Sequence, residues 1–143
     1  MTIAHVHLAS PDDLSRVRRY YEGWQYRGEV RPDDTIMIAE HNGAIIGVVR
    51  LAAEHGTTVL RGMRVDSGFQ RQGIGTRLLA LAGTGLTGPC YCIPYAHLTG
   101  FYGQIGFRVL DPRDAPDFLA ERLATYRARA EGQEYLLMHR PAP

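Results

Sequence analysis

Apolar positions along this chain switch between two periods, and the switches mark its elements. Residues 2–8 alternate polar and apolar and predict a first strand. Ser10, Pro11, Asp12 and Asp13 then form a helix start, with a hydroxyl cap, a proline where the N–H is dispensable, and acids at the positive end of the dipole. Leu14, Val17 and Tyr21 follow at helical spacing on one face, and Gly23 ends that helix. Trp24, Tyr26 and Val30 fall in a second short helix or a loop. After Pro32, apolar runs at 35–40 and 44–53 flank His41-Asn42-Gly43, whose Asn-Gly pair supplies the positive φ angles of a tight hairpin turn. His55-Gly56 marks another turn, and 57–65 predicts the next strand.

The second half alternates more rapidly. A glycine-rich turn, Gln70-Arg71-Gln72-Gly73-Ile74-Gly75, separates that strand from a helix over 76–82, which Gly83-Thr84-Gly85 and Thr87-Gly88-Pro89 cut short. Residues 90–94 read as a short strand, 97–104 as a short helix, 107–110 as a strand and 112–116 as a turn. Leu119, Leu123, Tyr126 and Ala130 share one face of a helix over 117–130, and 133–139 closes the chain as a strand. This order predicts an α+β sheet flanked by helices on both faces. With no linker in view, residues 1–143 are expected to form a single domain.

Composition narrows the partners. The chain has 143 residues, enough for one real core, and its 45% hydrophobic and 22% charged content is that of an ordinary globular protein. Sixteen basic and fifteen acidic residues leave a net charge of +1, which gives no electrostatic reason to expect nucleic acid or an anionic membrane. No apolar run reaches the ~18 residues of a membrane span. Met1-Thr2-Ile3-Ala4-His5 lacks a basic region followed by an apolar core, so a cytoplasmic location and small partners are expected. Cys90 and Cys92, two apart on a strand, suit neither a redox pair nor a zinc site and read as small core residues. His5 and His7 could share a polar face but bring no third ligand, so no metal is expected.

The glycine-rich turn carries the clearest chemistry. Gly73 and Gly75 lack a Cβ and can take conformations closed to other residues, so successive N–H groups can point into one concavity. The following helix adds unpaired N–H groups and its positive dipole end, which favours an anion such as a pyrophosphate. Two familiar glycine motifs fail: Arg77 and Leu78 stand where the dinucleotide fingerprint needs its third glycine, and Thr76 follows Gly75 without the lysine of a P-loop. What remains, Gln/Arg-x-x-Gly-x-Gly with Val65 and a strand before it, resembles the acetyl-CoA pyrophosphate loop of the GNAT family of N-acetyltransferases. Downstream, Phe101-Tyr102-Gly103-Gln104-Ile105-Gly106-Phe107 resembles that family's Phe-Tyr-x-x-x-Gly-Phe signature. The resemblance runs over residues 36–107.

This resemblance implies a GNAT-like mixed, largely antiparallel sheet and an acetyl-CoA-dependent N-acetyltransferase. A bulged strand would present the backbone of Met63, Arg64 and Val65 to the pantetheine arm. Gln70, Arg71, Gln72, Gly73, Ile74, Gly75 and Thr76 would hold the pyrophosphate, with Arg71 or Arg77 either adding charge there or lying solvated on the surface. Tyr102 would be the general acid, since a phenol of pKa ~10 stays protonated until a thiolate, conjugate-acid pKa ~8.5, develops beside it. The alternative for Tyr102 is a ring that only packs; Phe101 and Phe107 read as core. Glu40, Glu54, His55 and His97 are base candidates, and none is assigned. Tyr95 stands where the family commonly has asparagine, and Ser67 where proline is usual.

The acceptor is the least legible part. Trp24 and Tyr26 could wall an acceptor site or pack as a lid. Arg50, Arg61 and Arg64 could meet a substrate carboxylate or form surface ion pairs, which inclines the reading towards a small, amino-acid-like amine. Two other readings stay open: a non-catalytic acyl-CoA-binding module, and an acyltransferase acting on a protein or tRNA amine. Folds of this kind often pair, so a homodimer is one partner the resemblance allows.

Overall fold

Short runs of β-branched and apolar residues separated by tight turns give seven strands that lie in one sheet. The computed structural model describes residues 4–26 and 28–143. The strands are β1 (His5–Leu8), β2 (Thr35–His41), β3 (Ala44–Glu54), β4 (Thr57–Val65), β5 (Cys90–Cys92), β6 (Arg108–Val109) and β7 (Met138–Arg140), in the spatial order β1-β2-β3-β4-β5-β7-β6. Only β4 and β5 run parallel; every other neighbouring pair is antiparallel. The helices are α1 (Leu14–Glu22), α2 (Ile74–Thr84), α3 (Thr99–Gly103) and α4 (Asp117–Arg129). The fold is thus α+β with a largely antiparallel sheet, as expected.

Register decides which helix covers which face. Val48 pairs with Arg64 and Ala52 with Val59, so these residues share one face with Arg50 and Arg61. On that face Val48, Ile36 and Ile38 pack on Val17 and Tyr21 of α1, while Val59 packs on Leu119 and Leu123 of α4. The opposite face carries Met37, Val49 and Leu60 against Leu78 and Leu79 of α2, with Tyr102 of α3 in the same cluster. Cys90 and Cys92 are buried there too, and burial pushes the Cys90 thiol up to about 12 and the Cys92 thiol well up. They are core residues, too protonated for nucleophilic work.

Local signals and structure agree at most boundaries. Asn42 and Gly43 take φ of 51° and 80° in the β2–β3 hairpin. Ahead of α1 the chain makes a short 3-10 turn over Pro11–Asp13, where the Asp13 carboxylate accepts the Ser10 backbone N–H at 2.8 Å. The strand expected over 2–8 is β1 from His5; residues 2 and 3 lie outside the described residues.

The expected strand over 133–139 is shorter. Tyr135 forms only an isolated bridge with Tyr95, in register with the Cys92–Met138 pair, and the ladder is interrupted at Pro94. Pro94 accepts from Leu136 N–H at 3.0 Å but has no N–H to return. His7 does not join His5 as a metal site. The two rings stack at 4.5 Å, and His7 bonds Glu40 at 2.8 Å. Among the described residues no helix is long and apolar enough to cross a membrane, and no cluster of His, Cys, Asp and Glu could hold a metal ion.

One polar pair sits inside the α1-side core. Arg50 is fully buried in β3; its Nη1 donates to Asp34 at 2.9 Å and its Nη2 to the Tyr26 hydroxyl at 2.7 Å. The Asp34 side chain is only 1% exposed. Removing one partner of such a pair leaves a bare charge in the interior. Asp34→Ala should therefore lower unfolding free energy by about 3–5 kcal/mol in urea denaturation; a loss below about 1 kcal/mol would mean that water reaches Arg50.

Candidate functional site

The site begins with a misfit between β3 and β4. Gly47 faces Val65 and Val48 faces Arg64, yet Arg50 faces Arg61, so β4 carries one extra residue at Gly62-Met63. Gly62 has φ 65°, and a Cβ there would come within 2.5 Å of the Tyr21 hydroxyl, which donates to the Gly62 carbonyl at 2.8 Å. Glycine is required by both conformation and space. Beyond Val59 and Tyr91 the β4–β5 pairing ceases, and the strands part.

A cleft of about 760 Å³ opens in that gap, well within the range of small-molecule sites. Leu60 to Met63 form one bank and Cys92 to Tyr95 the other; Trp24 and Tyr26 come from the α1–β2 connection, and α4 supplies Phe118, Arg122 and Tyr126. Asp66 N–H bonds Ile46 O at 2.8 Å. By the alternation of an antiparallel ladder, the main-chain groups of Arg64 then face β3 and those of Val65 face the gap. The Gln70 side-chain amide already donates to Val65 O at 2.9 Å, tying the glycine-rich turn back to the strand.

The turn takes its expected place between β4 and a helix, with one adjustment. Gly73 has φ 79° and is the N-cap of α2, which begins at Ile74 rather than at Thr76. Gly75 therefore lies in the first helical turn, where a Cβ would make ordinary contact with Phe101 at 3.4 Å, so only Gly73 needs its glycine conformation. Arg71 adds a second left-handed residue at φ 63°. The helix has no side-chain cap, so its first N–H groups are unspent, and nothing stands within 4 Å of a Cβ built on Gly73. Unpaired N–H groups in an open concavity are the chemistry that an anion needs. Arg71, Gln72, Thr76 and Arg77 are exposed around it, and neither arginine makes an ion pair among the described residues.

Tyr102 lines the cleft from α3. Its ring is wedged edge-on between Phe101 and Phe107, at 5.0 and 6.2 Å. Burial pushes its phenol well above the ordinary tyrosine value. Its hydroxyl makes no hydrogen bond among the described residues, so the proton is uncommitted.

The three strand arginines share one face but differ in setting. Arg50 is the buried partner of Asp34, not a surface pair. The Arg64 guanidinium lies 4.3 Å over the Trp24 ring. Arg61 lines the cleft, donating to Glu54 at 2.8 Å and to the Tyr126 hydroxyl at 3.3 Å, while Arg122 donates to the other Glu54 oxygen at 2.7 Å. Burial works to raise Glu54, but the Arg122 bond and the charges of both arginines outweigh it and hold the carboxyl below the usual range. None of the base candidates Glu40, Glu54, His55 and His97 lines the cleft; the acid that does, among the described residues, is Glu121.

A family model described as Acetyltransferase (GNAT) domain matches residues 32–109. The chain belongs to the GNAT acetyltransferase family. Solved structures agree on the GNAT fold. Escherichia coli ElaA is 13% identical with TM-score 0.70, the match covering 96% of this chain and 99% of that one. A GNAT-family acetyltransferase from Streptococcus pneumoniae is 14% identical with TM-score 0.68, covering 97% and 99%. N-acetylglutamate synthase from Neisseria gonorrhoeae, solved with coenzyme A and N-acetyl-glutamate, is 19% identical with TM-score 0.61, covering all of this chain and 36% of that one. A search of curated proteins finds no match.

Sequence reading missed the far wall of this GNAT cleft. Tyr126 shares helical spacing with Leu119 and Leu123, yet only those two are buried; Tyr126 turns to the cleft beside Tyr135. Glu54, an isolated acid at a strand end, gave no hint that it bridges residues seven and sixty-eight positions away. Gly73→Ala should weaken coenzyme A binding modestly, because a left-handed alanine costs about 1–2 kcal/mol. Gly73→Glu should abolish it by placing negative charge in the concavity. Equal affinities for both variants in calorimetry would remove the turn from phosphate binding.

Proposed function

We propose that the protein is an acetyl-CoA-dependent N-acetyltransferase that acetylates a primary amine of a small molecule by direct attack. The observation that carries this reading is the β4–β5 gap, which brings the Tyr102 phenol to a cleft while the uncapped start of α2 packs on the neighbouring Phe101. Bound acetyl-CoA would supply a thioester, an electrophilic carbonyl with a sulfur leaving group. The N–H groups of Gly73, Ile74, Gly75 and Thr76 hold the pyrophosphate, with Gln70, Arg71 and Gln72 closing the turn around it. Met63, Arg64 and Val65 supply the strand along which the pantetheine arm runs; the main chain of Val65 faces it.

Tyr102 donates its phenolic proton to the departing sulfur as the new C–N bond replaces the C–S bond. Burial, which raises its pKa, holds that proton in place at neutral pH. The amine reaches the carbonyl from the aromatic side of the cleft and gives its own proton to water. The solved N-acetylglutamate synthase complex, with coenzyme A and an acetylated amino acid, supports a small amine over a macromolecule.

Calorimetric titration with acetyl-CoA, against dephosphorylated pantetheine as the control without pyrophosphate, tests the cofactor half. Saturable, phosphate-dependent binding is expected; no binding at millimolar cofactor would defeat the proposal. For the chemical half, Tyr102→Phe should lower kcat by about 10²–10⁴-fold with little change in cofactor affinity. The wild-type rate should show no alkaline fall attributable to Tyr102 between pH 7 and about 10, because its pKa is displaced upwards. An unaltered Tyr102→Phe turnover would remove it as the acid.

A further inference from the structure

Two guanidinium groups on the far wall share one carboxylate. Arg61 on β4 and Arg122 on α4 each bond one oxygen of Glu54, so the trio keeps a positive charge beside the cleft that both arginines line. All three side chains are largely shielded, at 19%, 22% and 13% exposed, so water screens that charge poorly. Arg61 commits both terminal nitrogens, to Glu54 and Tyr126. Arg122 commits only Nη1, leaving Nε and Nη2 without a partner among the described residues. A free two-donor edge next to a second guanidinium is the fork that a carboxylate takes bidentately. Glu121 also lines the cleft, but it is exposed and its charge is screened by solvent.

The same wall is aromatic, its rings tilted against one another. Tyr126 and Tyr135 lie 5.3 Å apart, and Phe118 lies beneath the Arg122 guanidinium at 5.5 Å. Trp24 and Tyr26 face them from the α1–β2 connection, 5.3 Å apart. Such rings favour a planar apolar body, and the net positive charge of the Arg61–Glu54–Arg122 trio beside them repels a polycation.

We infer that the acceptor is an amine carrying a carboxylate and a flat aromatic body, an aromatic amino acid or a close analogue, with Arg122 and Arg61 reading the carboxylate. This rests on the acetyltransferase reading above and narrows its acceptor. The amine sits towards the β4–β5 gap and Tyr102, the carboxylate towards α4, and the ring between the aromatic banks.

Thiol release with acetyl-CoA should be compared for L-phenylalanine, 2-phenylethylamine, L-alanine and spermidine. Loss of a charge-assisted contact predicts kcat/KM for phenylalanine about tenfold or more above 2-phenylethylamine, which lacks the carboxylate. Alanine, lacking the ring, and the polycation spermidine should fall below it too. In Arg122→Gln the preference for phenylalanine over 2-phenylethylamine should collapse towards one, mainly through KM, and Arg122→Lys should keep part of it. Equal or better turnover of 2-phenylethylamine or spermidine by the unaltered protein overturns the inference, as does bound acetyl-CoA with no turnover of any aromatic amino acid. N-acetyl-L-phenylalanine, titrated without cofactor, separates the two ideas. If it binds, and Arg122→Gln weakens it, while acetyl-CoA does not bind, the aromatic-acid site stands and the transferase reading falls; binding of neither overturns both.

Discussion

The hydrogen bond from Tyr21 to the Gly62 carbonyl fixes the feature on which the rest of the molecule turns. A seven-stranded sheet gains most by pairing every strand along its length, and β4 would do so if its register were regular. The extra residue at Gly62-Met63 prevents it. Gly62 can adopt φ 65°, and the phenol of α1 occupies the space that any side chain would need, so helix packing and strand irregularity enforce each other. The strands part at Val59 and Tyr91, and a cleft appears through what would otherwise be a closed sheet.

Electrostatics then separate the uses of that opening. Arginines occur at three positions of one sheet face, and each has a different fate. Arg50 is neutralised in the core by Asp34 and holds the α1–β2 connection through Tyr26. Arg64 sits over the Trp24 ring. Only Arg61 reaches the cleft, and it shares its counter-ion with Arg122. Tyr20 adds a tie between α1 and the end of β4, donating to Asp66 at 2.6 Å; burial and that neighbouring carboxylate push its phenol well up, so it stays a donor. The aromatic bank and the strand leading to the glycine-rich turn are thus joined by direct contacts.

Local chemistry made much of this legible in advance. Asn42-Gly43, the Gly73 turn and the helical spacing of Leu14, Val17 and Tyr21 depend on neighbours a few residues away, and all took their expected forms. Tyr102 was readable as a member of a motif, and the structure sets it in the cleft with its hydroxyl unpaired. What escaped depends on register between distant segments. A glycine inside a strand gives no sign of which tyrosine will press on it. Pro94, lacking an N–H, cut the last ladder against Leu136 far along the chain, and Tyr126 shared the spacing of core residues but points past the edge they cover. Arg50, open in the sequence to a substrate carboxylate or a surface ion pair, finds its partner in Asp34, sixteen residues away, inside the core.

The sheet also acts as a partition. α2 and α3 lie on one side with the glycine-rich turn and the Tyr102 phenol, and α1 and α4 on the other with the aromatic slot; the parted strands are the passage between. The residues that shape the slot, Arg122, Tyr126 and Tyr135, are half-buried fringe positions, whereas Leu119 and Leu123 anchor the same helix in the core. Substitution of Tyr126 or Tyr135 costs less folding free energy than a change at either leucine. A change to that wall of α4 would therefore leave the opposite side of the sheet, with α2 and its glycine-rich turn, as it is.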